Sequence, residues 1–215
     1  MKERTIHIVQ QFLVRHPELS VVESPLLKAS GRLIACFTSG GKLLVCGNGG
    51  SAADAEHIVG ELMKGFLLQR PVPEEHRNQF AAALGEEGET LVRNLQGALP
   101  AISLVSQTSL ASAIANDTSA EMIYAQQVYG YGKPGDALIG ISTSGNAGNV
   151  IKAFQAGRAL GMQTISFTGE TGGRLSEISD ISIRVPSDST PEIQEFHVQV
   201  YHLLCSMIES EYFDE

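Results

Sequence analysis

The chain has 215 residues, enough for one sizeable domain that buries both faces of a central sheet. Hydrophobic residues make up 43% and charged residues 18%, a globular balance that excludes a disordered chain. The formal charge is −9 with no Lys/Arg run, which argues against a nucleic-acid partner but not against a small anion, because backbone amides hold phosphate without net positive charge.

The first forty residues predict two helices. Ile6, Val9 and Leu13 fall on one face of the first. The second has Ser24 as its cap, Pro25 in its first turn, and an apolar face of Leu26, Leu27, Leu33, Ile34 and Phe37, ending at Gly40-Gly41. No strand precedes this pair, so it is no sheet crossover, and residues 1–40 are expected at an oligomer interface. The N-terminus lacks a signal-peptide core, and no apolar run approaches the roughly 18 residues of a membrane span, so the expected location is cytoplasmic, with no membrane partner.

From Lys42 onward short apolar runs alternate with helical segments: Leu43–Cys46, Ala101–Val105, Ala137–Ile141, Thr164–Phe167 and Ile181–Val185. Runs without polar alternation suit strands covered on both faces. The expected fold is therefore α/β, a doubly wound five-stranded parallel sheet flanked by helices, with ligands beyond the carboxyl ends of the strands. Residues 67–100 interrupt this rhythm with two helical pieces, Glu74–Leu84 and Glu86–Gln96, parted by Gly85. A lid, an interface element and a surface insertion are all open. Cys36, Cys46 and Cys205 lack CxxC spacing and read as buried, reduced thiols.

Two strand exits carry chemistry. Gly47-Asn48-Gly49-Gly50-Ser51 leads from the first strand into a helix; its glycines permit close backbone approach to an anion, and Ser51 is placed to cap the helix. The spacing is not GxGxxG, and there is no P-loop lysine. Ser142-Thr143-Ser144-Gly145-Asn146 repeats the arrangement after the third strand, with three consecutive hydroxyls that are costly to bury without partners. Together the loops form a neutral phosphate cup. His57 and Glu61, four residues apart on the helix leaving the first loop, share a face and suit a metal chelate, an acid–base pair, or merely a polar stripe. On the C-terminal helix, Gln194 and His202 are eight residues apart, about 12 Å along the axis, with His197 between them as an alternative ligand.

Read together, CGNGGSAADAEH, ISTSGN, TGETGGRL and IQEFH resemble the sugar isomerase (SIS) domain family, in its phosphoheptose isomerase branch, over about residues 43–211 apart from the 67–100 segment. The resemblance implies a single SIS domain, a homotetramer with sites at subunit interfaces, and an aldose–ketose isomerase. That enzyme would interconvert D-sedoheptulose 7-phosphate and D-glycero-D-manno-heptose 7-phosphate through an enediol. It implies Glu61 and His202 as the acid–base pair, and Zn2+ held by His57, Glu61, Gln194 and His202. It also implies sugar and phosphate contacts from Asn48, Gly49, Gly50, Ser51, Asn116, Asp117, Ser142, Thr143, Ser144 and Gln194.

Three positions depart from the family pattern. Ala147 stands where a serine often follows the second loop; Gly65, preceded by Lys64, stands where a basic residue is expected; and the 67–100 insertion lies close in sequence to the active-site helix. A Lys64 shifted by one residue would be turned about 100° around a continuing helix. The alternatives to a heptose phosphate isomerase are a non-catalytic SIS module that binds a phosphosugar or a protein, and an isomerase of another ketose phosphate.

Overall fold

The computed structural model describes residues 1–213. After α1 (Glu3–Arg15), a 3-10 turn (Pro17–Val22) and α2 (Glu23–Thr38), the chain runs β1 (Leu43–Gly47), α3 (Gly50–Met63), α4 (Glu74–Leu84), α5 (Glu86–Asn94) and β2 (Ala101–Ser103). It continues through α6 (Thr108–Asp117), a short 3-10 turn, α7 (Ile123–Tyr131), β3 (Ala137–Ile141), α8 (Gly148–Ala159) and β4 (Gln163–Thr168). The last elements are α9 (Gly173–Ile178), β5 (Ile181–Arg184) and α10 (Thr190–Tyr212).

The strands form one parallel sheet in the order β2-β1-β3-β4-β5. Side chains alternate between its faces. Leu43, Val45, Ile139, Ile165 and Phe167 pack beneath α1, α2, α3 and α10, while Leu44, Cys46 and Leu138 pack beneath α7 and α8. Both faces are thus sealed, which is why β1 and β3 are buried at every position and carry unbroken apolar runs. Fully burying a side chain such as Phe154 or Phe167 contributes about 1.5–3 kcal/mol. Cys36, Cys46 and Cys205 are free and buried, and burial pushes the Cys205 thiol up to about 12, so these cysteines are inert packing groups.

The structure shifts several sequence expectations. The buried face of α1 is Thr5, Val9 and Phe12, with Ile6 exposed, because α1 packs along α10, where the Thr5 hydroxyl meets Ser210 Oγ at 2.9 Å. Ser24 does not cap α2, which begins one residue earlier behind Val22, its first turn continuing from the 3-10 turn. Strand β2 stops at Ser103, two residues short, because Ser103 Oγ accepts the Val105 amide and turns the chain. The insertion does form two helices at the expected boundary, except that α5 ends at Asn94. Helix α4 has no buried residue, so this hairpin contributes little to the core.

Strand order reverses direction between β1 and β3, the switch point at which open parallel sheets bind ligands. Gly47 is in register with Ile141, so the loops after β1 and β3 leave the sheet side by side.

Candidate active site

The first loop turns at Gly49, whose φ of 58° is open to glycine, and α3 starts at Gly50. The first amides of a helix have no intrahelical acceptor and point at whatever sits beyond the end. Ser51 lies inside the first turn and is buried, and the α3 N-terminus has no side-chain cap, so the expected capping role is overturned. Gln194 packs its amide on Gly50, where a Cβ would push the end of the Gln194 side chain aside. Asn48 exchanges two side-chain hydrogen bonds with Asn149 on α8, at 2.8 and 2.9 Å, and its Oδ1 also accepts from the Tyr124 hydroxyl. These bonds tie the first loop to the helix that follows the second.

The second loop places Ser142 buried, Thr143 half-buried and Ser144 exposed. The turn after β4 and the start of α9 hold it from behind: Gly169 N–H donates to Thr143 O at 2.9 Å, Leu175 N–H to Gly145 O at 2.9 Å, and Arg174 N–H to Asn146 Oδ1 at 3.1 Å. Gly145 has φ 66° and approaches the Gly172 carbonyl too closely for any Cβ. A cavity of about 240 Å³ lies here, lined by Thr143, Ser144, Asn146, Thr171, Asp188 and Thr190 among others. Ala147 is the N-cap of α8 and brings no hydroxyl to it. Asn116 and Asp117 sit on the exposed end of α6, hydrogen-bonded to each other at 2.8 Å, and among the described residues no hydrogen bond joins them to either loop.

Helices α3 and α10 pack side by side with the same direction, Gln194 beside Gly50 and Tyr201 and His202 beside His57. His57 Nε2 is 3.1 Å from Glu61 Oε1, and the His57 and His202 rings meet edge to face with centroids 4.9 Å apart. Glu61 is buried, 8% exposed, and its Oε2 accepts from Lys64 Nζ at 3.3 Å. Helix α3 ends at Met63 and Lys64 is extended, so the one-residue shift does not rotate the lysine away as it would on a continuing helix. His202 Nε2 is buried without a hydrogen-bond partner; burial, then His57, holds its pKa below the usual histidine value, with Glu61 opposing. His197 is fully buried beside Phe167 and pushed down to about 4 by burial, so it is a neutral core residue and not a ligand.

Two residues that sequence reasoning missed complete the cluster. The Tyr201 hydroxyl is 2.8 Å from His57 Nδ1, and it also interacts with the carboxylate of Asp54. Burial pushes Asp54 up to about 6, against the pull of Tyr201 and His57. Asp54 is three residues before His57, and this i, i+3 spacing was the one available signal. Behind the cluster, Arg70 donates to Leu62 O at 2.8 Å and Glu61 O at 3.0 Å, satisfying carbonyls at the end of α3.

The donor chemistry of His57, Glu61 and His202 suits zinc, and the orphaned His202 Nε2 is what a ligand-binding imidazole leaves behind. As placed, no three His, Cys, Asp or Glu among the described residues converge on one point, and Gln194 lies further up the helix pair at Gly50.

A parallel α/β fold with two hydroxyl- and glycine-rich loops at its switch point, and a His/Glu pair on the helix behind one of them, defines a phosphosugar-binding domain. The sequence matches the SIS domain over residues 18–83 and 76–169. It is 39% identical over 207 residues to the phosphoheptose isomerase of Helicobacter pylori (strain P12), covering 94% of each chain. Its fold superimposes on a phosphoheptose isomerase from Francisella tularensis with TM-score 0.75 at 29% identity, covering 97% of this chain and 94% of that one. The corresponding enzyme from Neisseria gonorrhoeae gives 0.72 at 31%, covering 96% and 94%. The chain belongs to the SIS domain family, in its phosphoheptose isomerase branch.

Proposed function

We propose that the chain is an aldose–ketose isomerase that interconverts D-sedoheptulose 7-phosphate and D-glycero-D-manno-heptose 7-phosphate. The observation that carries this reading is the buried Glu61 carboxylate held 3.1 Å from His57 on the helix that springs from the first phosphate loop. The phosphate is held by the hydroxyls of Ser51, Ser142, Thr143 and Ser144 and by the first amides of α3, with Asn48, Gly49 and Gly50 shaping the loop. Gln194, Asn116 and Asp117 are assigned to the sugar, the last two on the family resemblance alone.

Glu61 takes the proton from C1 of the ketose and returns it to C2 of the enediol. His202 moves the second proton from O1 to O2. Its lowered pKa keeps the ring neutral at working pH, able to accept at one nitrogen and donate at the other. Lys64 Nζ is ion-paired with Glu61 Oε2 at 3.3 Å and holds that oxygen in place. Phosphate anchoring away from the reacting carbons fixes their position without taking part. His57, Glu61 and His202 are the residues that would hold Zn2+, with Gln194 joining only by moving from Gly50; a bound zinc supplies Lewis-acid polarisation of the carbonyl oxygen.

We further assign a homotetramer, in which α1, α2 and the exposed α4–α5 hairpin are the surfaces available to partner copies, and a cytoplasmic setting. Among the described residues no helix is long and apolar enough to cross a membrane. The test is turnover of sedoheptulose 7-phosphate by the wild type and by Glu61→Gln, each with and without a chelator. A general base contributes about 10²–10⁴-fold, so the variant should lose kcat by that factor with KM little changed. Near-normal turnover in Glu61→Gln would remove the base assignment. Tight phosphosugar binding without turnover in the wild type would point to a binding module.

A further inference from the structure

The first loop has a single handle. In Gly47-Asn48-Gly49-Gly50-Ser51 the one side chain between the end of β1 and Ser51 is that of Asn48, and the glycines on either side leave the backbone free to move. The buried Tyr124 on α7 donates its hydroxyl to Gly47 O at 2.5 Å and pins the strand end, so whatever freedom remains begins at Asn48. The partner of Asn48 is Asn149, in the first turn of α8 and three residues past the second loop. Its orientation is set from behind. Asn149 Oδ1 accepts the Val150 amide at 3.0 Å, which identifies that atom as the oxygen and leaves Nδ2 on the other branch. Asn48 Nδ2 then donates to Asn149 Oδ1 at 2.8 Å, while Asn149 Nδ2 donates to Asn48 Oδ1 at 2.9 Å, a closed ring of two amides. Turning Asn48 over would set donor against donor and acceptor against acceptor. Gly47 and Ile141 are register partners, so the two loops leave neighbouring strands and the ring bridges them beyond the strand ends.

We propose that Asn149 is a positioning residue for the phosphosugar: through Asn48 it holds the glycine turn of the first loop at a fixed distance from the hydroxyls of the second. The inference rests on the reading that these two loops hold the phosphate. With the ring closed, the phosphate meets both loops already in place. Without it, the ligand itself must order the glycine turn, and that ordering subtracts from affinity. The loss therefore falls on KM more than on kcat.

The experiment compares Asn149→Ala, Asn48→Ala and the double variant, each in the full chain. KM for sedoheptulose 7-phosphate should rise about tenfold in Asn149→Ala, which loses both bonds of the ring, with kcat changed less. Because the ring acts as one unit, the double variant should show no higher KM than Asn48→Ala alone. Hydrogen exchange without substrate is the second readout. The peptide carrying Asn48 to Ser51 should exchange faster in Asn149→Ala than in wild type, although the substitution lies on α8. The β4 peptide, unchanged, reports that the fold is intact. If Asn149→Ala does not fold, Asn149→Asp carries the exchange readout: it keeps an acceptor for Val150 and suits a helix N-terminus, but sets two acceptors face to face across the ring. KM effects that multiply in the double variant, or unaltered first-loop exchange in a folded Asn149 variant, would overturn the proposal. Exchange is read without any ligand, so it stands or falls separately from turnover of sedoheptulose 7-phosphate.

Discussion

Replacing Glu209 with Gln tests what holds the far end of the active-site helix. The Glu209 carboxylate accepts from the amides of Phe66, Leu67 and Leu68 at 2.9, 2.8 and 3.2 Å, and from Arg70 Nε at 2.8 Å. The side chains of Arg70 and Glu209 are 0% and 1% exposed. Gln turns one acceptor into a donor that faces amide donors, and it leaves the Arg70 charge unpaired in the interior. Breaking one partner of a buried pair costs about 3–5 kcal/mol. At about 2–4 °C per kcal/mol for a domain of this size, Tm should fall by about 6–20 °C at fixed protein concentration. Because Arg70 also holds the Glu61 carbonyl, kcat should fall as well, by more than KM changes. The Arg70→Met/Glu209→Leu double variant removes both charges and should be less destabilised than the two single losses added. A Tm within about 2 °C of wild type for Glu209→Gln, or strict additivity in the cycle, would refute the argument.

Three further outcomes follow from the geometry. His197→Phe should flatten the acid limb of the stability curve. His197 has its folded pKa depressed to about 4 from 6.5, so the unfolded chain binds the extra proton between those values and stability drops as pH is lowered through them, by roughly 3 kcal/mol in all; equal slopes in chemical denaturation at stepped pH would contradict it. Ala147→Ser gives α8 a capping hydroxyl beside the second loop and should raise Tm by the equivalent of about 0.5–2 kcal/mol and lower KM for the phosphosugar; an unchanged Tm would count against the cap. Gly145→Ala forces a Cβ onto the Gly172 carbonyl at positive φ, so KM should rise at least about tenfold while Glu61 chemistry persists; wild-type KM would show the loop is not the phosphate cup.

The five strands were legible because sheet burial on both faces imposes apolar runs, and the helical hairpin because Gly85 breaks it sharply. What misled was local chemistry overridden by packing. A serine before a proline suggests a helix start at Ser24, yet the 3-10 turn delivers the chain already helical at Glu23. Ser51 looks like a cap, but the positive φ of Gly49 starts α3 one residue earlier. His57, Glu61 and His202 were readable from their spacing together with family likeness, and they do gather. Asp54 and Tyr201 were not, because the i, i+3 spacing of Asp54 before His57 is too common to single it out, and only the parallel packing of α3 against α10 brings Tyr201 to them.

That packing also bears on which sugar phosphate the site fits. Ser51 and Glu61 are ten residues apart on one helix, about 15 Å along its axis. Side chains lean towards the helix N-terminus, so Glu61 reaches back and shortens the gap, but the phosphate end and the base end remain well separated. Tyr201 and His202 reinforce the far end, and Gln194 stands at the near one. A three-carbon sugar phosphate held at the loops would leave its reacting carbons short of Glu61. An opened seven-carbon chain with phosphate at one terminus and the carbonyl at the other spans far more of that distance. The separation therefore favours the heptose reading over isomerisation of a short ketose phosphate, and it does so through the length of one helix and not through any single contact to the sugar.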